Sequence, residues 1–125
     1  MLARRVSHVS FSVRDLERSL AFYRDLLGLT PIPRPNFPFP GAWLAAGEFQ
    51  VHLIVVPERL PVGTPPPKLT PLANHFAFAV ASYADTVAAL RARGLDVMEG
   101  GETMGQMWVA DPDGNVIELI ADGAR

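Results

Sequence analysis

The chain has 125 residues, 49% of them hydrophobic and 19% charged, which suits one soluble globular domain with a sizeable core and excludes a disordered chain. A formal net charge of −2 without any extended Lys/Arg cluster excludes an electrostatic footprint for nucleic acid or an anionic membrane. No cysteine is present, so disulfides, thiolate metal sites and cysteine nucleophiles are all absent, and no run is long enough for a signal peptide or a bilayer span; a cytoplasmic protein is expected.

In chain order, Val6 to Val13 alternates, with Val9, Phe11 and Val13 on one face of a strand and His8, Ser10 and Ser12 on the other. Asp15 then caps a helix whose apolar residues Leu16, Leu20, Tyr23, Leu26 and Leu27 recur at three and four, and Gly28 ends it. Pro31 to Pro40 holds five prolines and predicts an irregular excursion. Ala42 to Ala46 and Phe49 to Val56 predict a hairpin turning at Gly47. Pro57 to Pro71, with six prolines and no periodicity, reads as a surface linker.

After the linker the plan is repeated. Asn74 to Val80 alternates as a strand, with His75, Ala77 and Ala79 opposite Phe76, Phe78 and Val80, and a helix near Tyr83 to Arg93 ends at Gly94. Short strands are predicted at Asp96 to Glu99 and Met104 to Ala110. Asp-Pro-Asp-Gly-Asn from Asp111 then makes a tight turn into a last strand, Val116 to Ile120. In that strand Glu118 sits among apolar residues on both faces, and a carboxylate removed from water needs a cation, a metal or a proton. His8 and His52 lie 44 positions apart, and His75 and Glu118 lie 43 apart; His8 to Gly28 is 20 positions and His75 to Gly94 is 19. The chain is therefore read as one domain of α+β class, 1–125, made of two tandem βαβββ modules at about 5–56 and 74–121, joined by a Pro-rich linker at 57–73.

The repeat aligns His8 with His75 and His52 with Glu118, so all three histidines and the acid of the last strand occupy matched positions. Imidazole and carboxylate donors in this number suit a divalent ion, Zn, Ni, Co, Fe or Mn. Small neighbours, Ser10 and Ser12 beside His8 and Ala77 and Ala79 beside His75, leave room for a cavity on the donor face. His52 is read either as a direct ligand or as a residue behind the ligands. Candidate substrate contacts are Arg34, as a cationic anchor for an acid, with Asn36, Phe37, Phe39 and Trp43 in the proline-rich excursion and the strand after it. Gln106 and Trp108 alternate on one face of a second-module strand; Trp43 and Trp108 fall at corresponding places in the two halves.

The doubled plan, the helix entry Val13-Arg-Asp-Leu-Glu-Arg-Ser-Leu-Ala-Phe-Tyr-Arg-Asp-Leu-Leu-Gly-Leu29 and the closing Asp-Pro-Asp-Gly-Asn-Val-Ile-Glu-Leu resemble the vicinal oxygen chelate superfamily of glyoxalase I, fosfomycin and bleomycin resistance proteins, methylmalonyl-CoA epimerase and extradiol dioxygenases. That resemblance covers essentially the whole chain. It implies paired βαβββ modules that form a cupped mixed β-sheet with helices on the outer face around a metal, with ligands at His8, His75 and Glu118, and a homodimer whose sites lie within one chain or across two. His52 falls where glyoxalase I has a glutamate, which leaves Glu118 as the one metal-side carboxylate able to act as base. The reading that follows is a metal-dependent lyase or isomerase acting on a small oxygen-chelating substrate. The alternatives are an Fe(II)-dependent dioxygenase, which the donor set permits and the short chain disfavours, and a binding or resistance protein without turnover.

Overall fold

The computed structural model describes residues 1–124. Contacts divide the chain into two compact units with the boundary after Gly63, inside the proline-rich stretch. Among the described residues no helix is long and apolar enough to cross a membrane.

The first module runs β1 (His8–Val13), α1 (Leu16–Leu20), β2 (Thr30–Ile32), β3 (Gly41–Ala46) and β4 (Phe49–Val55). Asp15 caps α1 by accepting from the Arg18 backbone N–H at 3.1 Å. From Ala21 to Leu26 the helix widens to π geometry, visible in the bond from Leu27 N–H back to the Phe22 carbonyl at 2.9 Å, before Gly28 turns the chain at φ +81°. The strands order as β1-β4-β3-β2, with β1 parallel to β4 and the other pairs antiparallel. The expected alternation of β1 holds: Phe11 stacks on Tyr23 of the helix at 5.3 Å, so His8, Ser10 and Ser12 share the face away from it. Tyr23, Leu44, Val51 and Leu53 are fully buried beneath that helix and sheet.

The second module repeats the order: β5 (His75–Val80), α2 (Tyr83–Ala92), β6 (Met98–Gly101), β7 (Gln106–Ala110) and β8 (Val116–Ala121), in the sheet β5-β8-β7-β6 with β5 parallel to β8. Ser82 caps α2 through the Asp85 N–H, and Leu90, Met107, Val109, Ile117 and Leu119 fill the core.

The strands depart from the expected ones at several points. β2 was absent from the sequence reading because Pro31 sits in it; the strand is possible because it lies at the sheet edge, where the missing N–H has no ladder partner to lose. β6 starts two residues later than expected, and a bulge between Glu99 and Gly101 shifts its register before Gly101 pairs with Gln106. β7 begins at Gln106 because Gly105, at φ +76°, turns so close to Ala121 that a Cβ there would stand 2.9 Å from its carbonyl oxygen.

The turn before β8 is organised by Asp111. Its buried carboxylate accepts from the backbone N–H groups of Asp113 (3.0 Å) and Asn115 (2.8 Å) and from the Asn115 side-chain amide (2.9 Å). Asp111→Ala strands these donors, and a loss of roughly 2–4 kcal/mol is expected in urea unfolding. Asp111→Asn, which keeps an acceptor, should lose less.

Candidate functional site

Glu118 lies on β8, an inner strand flanked by β5 and β7, and is 7% exposed. The register sets Trp108 of β7 directly opposite it and Ala77 of β5 on its other side. Its carboxylate accepts from Trp108 Nε1 at 3.1 Å on Oε1 and from Gln106 Nε2 at 3.2 Å on Oε2. His75 Nε2 stands 3.0 Å from the same Oε1. The Ala73 carbonyl, 2.8 Å from His75 Nδ1, can only accept, so it fixes the proton on Nδ1 and turns the Nε2 lone pair toward Glu118. A lone pair and a carboxylate oxygen at that distance are compatible when a cation, proton or metal, is shared by them. Two donors on one ion with bonds of about 2.0–2.2 Å lie close to this separation, and a ligand histidine is characteristically oriented by a carbonyl on its far nitrogen. The pair therefore fits a metal.

The first module has the same register with different chemistry. Trp43 of β3 is opposite His52 of β4 as Trp108 is opposite Glu118, and Ser10 is beside His52 as Ala77 is beside Glu118. Here the contacts are made through ring faces. His52 stacks on Trp43 at 4.0 Å and 2°, and on His8 at 4.0 Å and 19°. Lone pairs of stacked imidazoles run side by side instead of converging, so His8 and His52 are not arranged as neighbouring ligands of one ion. Gln50 Oε1 lies 2.8 Å from His52 Nε2, which donates to it. Burial, then the neighbouring His8 and Arg34, hold the His52 pKa below the ordinary histidine value. Among the described residues no three His, Asp or Glu side chains gather together; the four expected donors stand as two pairs, one in each module.

The first module also encloses a cavity of about 520 Å³ whose lining includes His8, Arg34, Phe37, Phe39, Trp43 and His52. The Arg34 guanidinium lies 5.0 Å and 5.1 Å from the Phe37 and Phe39 ring centres and donates to the Phe39 carbonyl at 2.8 Å. The expected substrate-contact set thus divides: Arg34, Phe37 and Trp43 line this cavity, whereas Gln106 and Trp108 are donors to Glu118. Two contributors escaped the sequence reading. Ala73 acts through its carbonyl and carries no side-chain signal. Gly41 matters for lacking a Cβ, which would run into the Leu53 carbonyl and come within 3.0 Å of Arg34.

Residues 5–119 match the family model described as Glyoxalase/Bleomycin resistance protein/Dioxygenase superfamily. The chain is 36% identical over 122 residues to Glyoxylase I 4 of Arabidopsis thaliana, covering 91% of this chain and 68% of that protein. It is 32% identical over 117 residues to Glutathione transferase FosA of Serratia marcescens, covering 91% and 78%. It spans 45% of a longer Arabidopsis lactoylglutathione lyase. A glyoxalase/dioxygenase from Nostoc punctiforme shares the fold at a TM-score of 0.76 and 24% identity, with 94% of this chain and 90% of that one covered. A repeated βαβββ plan, a buried carboxylate beside an oriented imidazole and these likenesses agree, and the chain belongs to the glyoxalase/bleomycin resistance protein/dioxygenase superfamily, a family with metal-dependent members.

Proposed function

We propose that the protein is a divalent-metal-dependent lyase or isomerase of glyoxalase-like type, acting on a small substrate that presents two neighbouring oxygens. The observation that supports this reading is the Glu118 carboxylate, held by Trp108 and Gln106 beside the carbonyl-oriented His75. The donors we assign are His75 and Glu118 in the second module; of the first-module histidines proposed for the same role, His52 is the weaker because it is stacked on both sides, by Trp43 and by His8. When bound, a Zn, Ni, Co, Fe or Mn ion would act as a Lewis acid toward the substrate oxygens. Glu118 moves the proton. Its Oε1 is engaged by both His75 and Trp108, so Oε2, with Gln106 alone, is the oxygen suited to take a proton from a substrate carbon and return it to the neighbouring one. Gln106 and Trp108 keep the carboxylate in one orientation throughout.

Protein purified without an affinity tag should carry about one divalent ion per chain by elemental analysis. His75→Ala should lose it, and Glu118→Gln should stay folded, bind metal more weakly and lose turnover. Trp108→Phe, which removes one donor to the carboxylate, should cost roughly 10–100-fold in metal affinity. Unchanged metal affinity in His75→Ala would overturn the assignment.

A second reading, binding without turnover, is supported by the aromatic cavity of the first module. A ligand recovered chemically unchanged from metal-loaded protein would favour it.

The depressed His52 pKa fixes a pH dependence. The unfolded chain binds the proton at about the ordinary value of 6.5 and the folded chain only at lower pH, so stability from the neutral ring is complete above 6.5 and is lost as pH falls through the folded value. The stability difference of wild type over His52→Gln should be flat above that pH and shrink below it, measured by denaturant unfolding.

A further inference from the structure

The first-module cavity is built from more aromatic surface than metal binding requires. One wall is the His8, His52 and Trp43 stack; Phe37 lies 6.2 Å from Trp43, tilted by 50°, and is itself parallel to Phe39 at 5.3 Å and 8°. Phe37 and Phe39 each remain 39% exposed, so flat apolar surface is left uncovered at the cavity. Its volume of about 520 Å³ lies inside the usual range for small-molecule sites.

The charge in the cavity has one sign. Arg34 is the charged lining residue, no carboxylate lines the cavity, and among the described residues Arg34 makes no ion pair. One of its nitrogens is tied to the Phe39 carbonyl, which fixes the plane of the guanidinium and leaves the remaining N–H groups of the fork for a ligand. That position is designed into the backbone, since any side chain at position 41 would meet both Leu53 and Arg34. Ser10 and Gln50 supply neutral polar groups along the wall.

We infer that this cavity binds a planar aromatic carboxylate, its ring lying against the aromatic surface that Phe37, Phe39 and Trp43 leave open and its carboxylate on the Arg34 fork. A flat ring matches stacked walls where a puckered aliphatic ring does not, and a guanidinium fork matches a carboxylate in two parallel hydrogen bonds. The inference concerns the first module alone and goes beyond the function proposed above; binding itself does not depend on a metal.

The test is calorimetric titration of the full chain, made metal-free with chelator, with 1-naphthoate, cyclohexanecarboxylate and 1-naphthalenemethanol. 1-Naphthoate should bind at least threefold, and on the order of tenfold, more tightly than either of the others, because the second lacks the flat ring and the third lacks the charge. Arg34→Gln should erase its advantage over the alcohol, and Trp43→Leu its advantage over cyclohexanecarboxylate. A preference below threefold in either comparison overturns the inference, as does wild-type naphthoate affinity in Arg34→Gln shown folded by circular dichroism. Selective naphthoate binding by a protein that proves to hold no metal would leave this inference standing and remove the proposed lyase or isomerase; metal binding without naphthoate selectivity would do the reverse.

Discussion

A carboxylate in a strand buried on both faces constrains everything around it. Glu118 has given up almost all of its water, and the cost of that transfer is met only if each oxygen finds a donor. Those donors are Trp108 for Oε1 and Gln106 for Oε2, both on one neighbouring strand, while His75 on the other brings its Nε2 to 3.0 Å from Oε1. They reach it because β8 is an inner strand of its sheet, with partners on both sides, and because the parallel pairing with β5 puts Ala77, a residue with almost no side chain, directly beside the acid. A larger residue at Ala77 would occupy the space across which His75 approaches. Strand order, register and a small neighbour are thus parts of one solution to one desolvation problem.

The first module meets the same backbone register with a different side chain and arrives at different physics. His52 stands at the position of Glu118 and faces a tryptophan in the same way, yet an imidazole has two faces to offer, and Trp43 meets it face to face while Trp108 meets Glu118 through its N–H edge. The tryptophan is common to both halves; whether it acts as a donor or as a stacking surface is decided by its partner. One scaffold therefore yields an edge-bonded carboxylate in one half and a stacked ring cluster in the other.

Much of this could be read from residue order. The alternation of His8, Ser10 and Ser12 against Val9, Phe11 and Val13 located a strand and its faces, and the pairing of Phe11 with Tyr23 is what that alternation demands. The repeat located His52 and Glu118 as counterparts, and the sheet registers match them residue for residue. What escaped was information that side-chain identity does not carry. The Ala73 carbonyl orients His75 through the main chain, Gly41 acts by the absence of an atom, and Pro31 is tolerated in a strand only because of where that strand falls in the sheet. The stacking of His8 on His52 was hidden for another reason: spacing tells which residues share a face, but not whether two rings on that face meet by edge or by plane.

The π-shaped turn of Ala21 to Leu26 has a bearing on how the two halves came to differ. From first histidine to last-strand donor the first half is one residue longer than the second, and the net difference falls before the glycine that ends each helix; from Gly28 to His52 and from Gly94 to Glu118 the spacing is identical, one-residue shifts on either side of Trp43 and Trp108 cancelling. The extra residue lies in the stretch where the first helix leaves α geometry, and the second helix shows no such widening. A single-codon insertion in a strand would have exchanged its inward and outward side chains, whereas a helix takes up one more residue as a local loop of its spiral. The helix thus takes up the net one-residue difference between the halves, and the strands that carry His52 and Glu118 keep the same distance from the glycine that precedes them.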